Sequence, residues 1–322
     1  MYPIKFKKCF IDKVWGGRAF ETVLGMTLPE NRQIGESWEV SSHKNGMSVV
    51  ENGIFKDITL ENLVEKYGAE LLGKDVSERF SGKFPLLIKY LDVNDRLSVQ
   101  VHPSDDYALK VEGEFGKSEC WYIIDASEDA KLILGLKGEM TRETFLEKSK
   151  NKDFKNMFNE VSVKKGDFIN ITPGVVHASL EGSVLLCETQ QNSDTTYRIY
   201  DFDRTVNGVP RPLHLEKAAD VINFGEIPVV TSEETRQNIK LRNCVKQELV
   251  RCKYFNVDKL KINGIFHDEI SENFKVYSIL EGEGNIIYND EKYPARKGDT
   301  YFIPANLNVS VDGEVEILKS FL

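Results

Sequence analysis

The sequence lacks most of what would fasten a protein from outside or attach it to a charged surface. Its five cysteines, Cys9, Cys120, Cys187, Cys244 and Cys252, are scattered, odd in number and form no CxxC pair. That argues against a disulfide framework and for a reducing, cytoplasmic setting. Positive charge is not in excess: 42 basic residues stand against 51 acidic ones, a net charge of −9. This balance argues against nucleic acid and against an anionic membrane as partners. No stretch approaches the ~18 apolar residues of a membrane helix. The N-terminal MYPIKFKKCFIDKVWGG has no apolar run long enough for a signal peptide. Protein partners are not legible. Histidine is scarce as well, with only His43, His102, His177, His214 and His267.

What is present reads mainly as strands and turns, in a chain long enough for two domains. Thr59 opens a helix whose apolar residues Leu60, Leu63, Val64, Tyr67, Leu71 and Leu72 keep helical period until Gly73. FPLLIKYL (84–91) reads as a buried strand. Further strands are expected at 121–124, 132–134, 161–163, 168–171 and 184–190, with a helix capped by Thr141 and another over 215–224. The polar segment GEIPVVTSEETRQNIKLRN reads as a linker, dividing a domain at 1–235 from one at 236–322 that has no good helix. Gly166–Asp167, an apolar stretch and Pro173 return as Gly298–Asp299, YFI and Pro304. This echo points to a duplicated β-barrel whose second copy has no histidine where the first has His177.

The chemistry concentrates between Ser98 and Trp121. Gln100 and His102 are two residues apart, so on a strand they share a face, and Lys117 and Glu119 repeat the spacing. An imidazole with two oxygen-bearing side chains makes half a shell for a divalent metal. His177, aimed by the turn at Pro173–Gly174, supplies a second nitrogen. A lone histidine is more often structural; two on strand edges with Glu119 make a metal site the better reading. IGESWEVSSH alternates around Glu36, Trp38 and Val40, with Trp38 either core or beside a polar ligand.

QVHP, the later GKSE, and Gly–Asp followed by PGVVH resemble the two motifs of the cupins, double-stranded β-helix barrels that hold a metal. More narrowly, VQVHP, GKSECWY, PGVVHA, ETQQNSDTTYRIYDFDR and RPLHL, in that order and with IGESWEVSSH before them, resemble the type I phosphomannose isomerases in their compact bacterial form. The resemblance runs from about Trp15 to Leu215. It implies a mainly β fold: two cupin-like jelly-roll barrels with a few peripheral helices, the first catalytic with inserted helices, the second degenerate. It implies one Zn2+ held by Gln100, His102, Glu119 and His177, an active-site arginine at Arg198 and the motif lysine at Lys117. It implies a zinc-dependent aldose–ketose isomerase acting on a small sugar phosphate, mannose 6-phosphate to fructose 6-phosphate, through an enediolate.

Two histidines, a glutamate and a neutral glutamine would leave a zinc site net positive, which suits an anionic intermediate. Lys117 either serves as a neutral amine base or stays charged and binds an oxyanion. Glu36, His43 and Glu188 are other acid–base or substrate-binding candidates, with His43 suited to ring opening. Arg198 either clamps phosphate or enediolate, or pairs with Asp201 or Asp203. Trp15 and Trp38 stack on the sugar or belong to the core, and His214 is expected to be structural. The rival readings are a non-catalytic sugar-phosphate-binding metallo-cupin and an iron-dependent oxygenase. Gln100 and the basic residues fit the oxygenase poorly.

Overall fold

A computed structural model describes residues 1–206 and 208–322. Three sheets carry the architecture. The first has seven strands in the order Val230–Thr231, Phe168–Ile171, Glu119–Ala126, Val184–Gln191, Leu86–Val93, Ile34–Ser41, Cys9–Gly17. The second has five, in the order Tyr197–Tyr200, Val99–Val101, His177–Glu181, Lys131–Leu136, Phe158–Ser162. These two sheets close on one core in which Trp121, Ile123, Ile169 and Leu186 meet Leu132 and Leu134. The third, of eight strands, is built mostly from residues after 238 and has its own core around Ile262, Tyr277, Ile303 and Ile317. The jelly-roll pair expected from the sequence is present. One strand departs from the division of the chain: Ile4–Lys5 pairs with Phe302 and Tyr301, capping an edge of the third sheet.

The period of two explains both faces of the seven-stranded sheet. On Leu86–Val93, Leu91 and Val93 enter the inter-sheet core, while Leu86, Ile88 and Tyr90 face outward. There they meet Val76, Phe274, Phe302 and Leu318 of the helical layer and the third sheet. The outward faces of the two barrels thus meet along a mainly apolar seam, within which the Thr189 and Ser320 hydroxyls hydrogen-bond at 2.7 Å.

The helix at Leu60–Leu72 is capped by Thr59, whose hydroxyl accepts from the Asn62 N–H at 3.2 Å. It bends at Gly68 (φ 36°) and stops at Gly73, as expected. The short helices Ala19–Thr22, Lys74–Arg79 and Asp105–Val111 and the turn Gly53–Phe55 complete the periphery with Arg142–Lys150 and Leu215–Val221. The repeated Gly–Asp is the same turn in both barrels. Gly166 (φ 88°) donates to the Ile123 carbonyl at 2.8 Å, and Gly298 (φ 84°) donates to that of Ile279 at 2.9 Å. Asp167 Oδ2 accepts from the Lys164 N–H, and Asp299 Oδ2 from that of Arg296. No helix among the described residues is long and apolar enough to cross a membrane.

Candidate active site

A cavity of about 310 Å³ opens between the first two sheets. Register fills it. Glu188 lies opposite both Trp121 and Lys89, and Lys89 lies opposite Trp38, so Glu119, Glu188, Lys89 and Glu36 all point inward from neighbouring strands. His177 and Arg198 come from the facing sheet, both opposite Gln100. His102 and Lys117 are not on strands; they follow Val99–Val101 and precede Glu119–Ala126, with the Lys117 N–H bonded to the Pro103 carbonyl.

At the floor, ligand atoms of His102, Glu119 and His177 lie within 4.8 Å of one another, and all three residues are buried. The Thr195 and Val175 carbonyls engage Nδ1 of His102 (2.9 Å) and of His177 (3.0 Å). A carbonyl only accepts, so each Nδ1 carries a proton and each Nε2 is turned toward Glu119, at 3.4 and 3.2 Å. Glu119 Oε1 is buried with no hydrogen-bond partner among the described residues. The Gln100 amide lies 3.4 Å from His177 Nε2, and turning it about its own axis offers its oxygen to the same point. A cation already stands among these groups: the Lys117 ammonium is 3.0 Å from His102 Nε2, bonded to Glu119, and 3.4 Å from Glu188 Oε1. Two imidazole nitrogens, an orphaned carboxylate oxygen and a turnable amide fit a divalent ion.

Burial and Lys117 hold the His102 imidazole well below its ordinary value, so it stays a neutral donor. Burial and the neighbouring Glu119 raise the Glu188 carboxyl to about 7. Burial would do the same to Glu36, but Lys89, Lys13 and the Trp38 indole N–H outweigh it and hold that carboxyl at about 2. Lys89 is the buried counter-ion, 3.3 Å from Glu188 and 3.8 Å from Glu36. Burial opposes its charge, and the two glutamates more than restore it.

Arg198 does not pair with Asp201. That carboxylate is taken by Arg204 (2.7 Å) and Arg211, while Arg198 Nη1 donates to the Pro212 carbonyl and its Nε is buried without a partner. No ion pair of Arg198 occurs among the described residues. Trp15, Glu36 and Glu188 line the cavity. Two candidates do not. Trp38 shares the inward face of its strand with Glu36 but lies outside the cavity lining, its indole N–H on Glu36 and Lys89 over its ring. His43 lies beyond the strand end in a separate groove, 3.7 Å from Glu114, because Ile34–Ser41 ends before it. His214 holds the Arg198 N–H through Nδ1 at 3.1 Å and also lines the cavity, so it is more than structural filling. Sequence reasoning missed Lys89, Lys13, Ser98, Asp194, Thr196 and Arg211. Only Lys89 left a signal, as a lone charge in an apolar strand.

Two family models match the chain: phosphomannose isomerase type I, catalytic domain, over residues 4–117, and mannose-6-phosphate isomerase, cupin domain, over 245–322. Mannose-6-phosphate isomerase ManA of Bacillus subtilis is 40% identical over 99% of both chains. The chain belongs to the type I phosphomannose isomerases. A mannose-6-phosphate isomerase of Streptococcus mutans is 38% identical over 99% of this chain and 98% of its own. The solved mannose 6-phosphate isomerase of Bacillus subtilis superposes over the whole of both chains with a TM-score of 0.90 at 35% identity. A phosphomannose isomerase of Salmonella typhimurium, 15% identical with a TM-score of 0.80 over 100% of this chain and 99% of its own, shares the fold. The residues that line the cavity run from Lys13 to His214.

Proposed function

We propose that the enzyme is a zinc-dependent aldose–ketose isomerase that interconverts mannose 6-phosphate and fructose 6-phosphate in the cytoplasm. The observation that carries this reading is the buried convergence of His102, Glu119 and His177 beside a cavity where Arg198 has no carboxylate partner among the described residues. Gln100, His102, Glu119 and His177 would hold the zinc, which when bound polarises the sugar carbonyl and offsets oxyanion charge. Residues 1–235 form the catalytic domain and 236–322 the accompanying one.

The chain's own groups do the rest. Arg198, partly buried and unpaired, clamps the anionic end of the substrate or the enediolate through its fork of donors. Lys117 Nζ and Glu188 Oε1, 3.4 Å apart, are the two groups that can pass a proton between C2 and C1. A carboxyl near 7 is matched to that task at neutral pH. Lys89 keeps Glu188 and Glu36 in place, and Trp15 offers an apolar wall to the sugar.

The test is a coupled assay with mannose 6-phosphate before chelation, after it, and after zinc is restored. Activity should vanish and return with the metal. His102→Ala should lose bound metal and at least about a thousandfold in kcat/KM, the size of several kcal/mol. Full turnover by a metal-free protein would end the zinc reading. A sugar phosphate that binds yet never exchanges its C2 proton with solvent would make the chain a binding protein instead.

A further inference from the structure

The two barrels can be superposed by strand register alone. Glu119 pairs with Ile171 four residues into the strand that follows Gly166–Asp167, and Lys275 pairs with Ile303 at the same point after Gly298–Asp299. Lys275 is therefore the counterpart of Glu119, and Tyr277 of Trp121. Across the next ladder Trp121 faces Glu188 and Tyr277 faces Lys319, and one strand further Glu188 faces Lys89 and Lys319 faces Asp258. Thr189 and Ser320, the residues in hydrogen bond across the seam, are counterparts too. At the three ionisable positions the sign of charge is reversed: Glu119, Glu188 and Lys89 in the first barrel, Lys275, Lys319 and Asp258 in the second.

The reversed interior borders a cavity of about 250 Å³ walled by Lys319, Arg242, Lys246, His267, Asp268 and Glu269. Asp268 is buried and accepts from Lys275 (2.7 Å), Lys319 (2.9 Å) and the Tyr277 hydroxyl. Lys246 is shared with Glu248 at 3.1 Å, and Asp258 is taken by Arg251. Among the lining residues three cations, Arg242, Lys246 and Lys319, stand against two carboxylates, Asp268 and Glu269. Arg242 makes no ion pair among the described residues. The cavity is thus positive in a chain whose net charge is −9. Lys319 spends one of its three donors on Asp268, which leaves two for a ligand. The volume equals that of about eight waters at ~30 Å³ each, enough for a tetrahedral oxyanion with a small organic tail.

We propose that the second barrel carries an anion site for phosphate or a phosphate monoester, built around Lys319 at the position where the first barrel has Glu188. The test is equilibrium dialysis of the zinc-loaded full-length enzyme against inorganic phosphate. Arg198→Ala, in the first cavity, should retain one bound equivalent. Arg242→Glu, on the exposed rim of the second, should weaken that equivalent at least tenfold while turnover of mannose 6-phosphate stays within twofold of the parent. Lys319→Met should abolish the equivalent, and an unchanged circular dichroism spectrum would separate lost binding from lost fold. Displacement of the phosphate by fructose 6-phosphate in the Arg198→Ala enzyme would name the ester as the ligand; no displacement would name the free ion. An equivalent that persists undiminished in Arg242→Glu, or none in Arg198→Ala, overturns the proposal.

Discussion

The first and second barrels place side chains at matching inward positions and use them oppositely. In the first, Glu119, Glu188, Glu36 and Lys89 converge on an open cavity and leave one carboxylate oxygen unsatisfied at its floor. In the second, Lys275, Lys319 and Tyr277 close on Asp268, so the carboxylate is satisfied from three sides and what remains facing the cavity is the cation, Lys319. The lesson is that register decides which positions look inward. Residue identity then decides whether the charges there are spent on each other or kept for a ligand. An interior ion left available costs desolvation, so it persists only where a ligand or substrate completes it.

The comparison can be broken most severely at Lys89. Lys89→Met leaves Glu36 and Glu188 buried without their shared cation, and breaking such a pair costs about 3–5 kcal/mol. Its counterpart Asp258 answers to the half-exposed Arg251, so Asp258→Asn should cost about 1 kcal/mol at most. Urea denaturation of both variants measures the difference, and a larger loss at Asp258 would contradict the account. A second contrast depends on pH. Burial raises the Asp92 carboxyl from 3.8 to about 6, against the pull of the Ala19 and Phe20 N–H groups. The folded state thus holds that proton more tightly than the unfolded one. The stability it contributes is full below about pH 4 and is lost as pH rises through 6, by up to about 3 kcal/mol. Asp92→Asn should therefore unfold at higher urea than the parent at pH 8 and show no gain at pH 4. Its register counterpart Lys261 is exposed, and Lys261→Met should show no such pH dependence. The smallest effect belongs to the seam. Thr189→Val strands the Ser320 hydroxyl at a cost of about 1–2 kcal/mol, and adding Ser320→Ala should return part of it.

Much of this was legible before the structure. The helix at Leu60–Leu72 follows from its apolar period and its Thr59 and Gly73 ends, and Phe168–Ile171 falls where the strand was expected. Gln100, His102, Glu119 and His177 were chosen by spacing and resemblance, and the structure gathers them at one floor. What stayed hidden depends on neighbours far along the chain. Lys89 reads as an oddity in FPLLIKYL until Ile34–Ser41 and Val184–Gln191 flank it with glutamates. His43 was over-read because nothing local shows that its strand stops at Ser41. The repeated Gly–Asp turn was visible, but the charge reversal it indexes needs both ladders on each side.

Ile4–Lys5, seated on the edge strand Thr300–Ile303, has a consequence for how the chain is made. Ile4 and Lys5 leave the ribosome roughly 300 residues ahead of Tyr301 and Phe302, their partners on that edge. At about 5–20 residues per second that interval is roughly 15–60 s. Through it the first barrel can gather around its own sheets, while the segment is held only by its bonds to residues 49–52. Its docking then covers an otherwise bare ladder of N–H and C=O groups. This early strand is thus a latch that closes only after the edge strand of the second barrel has been made.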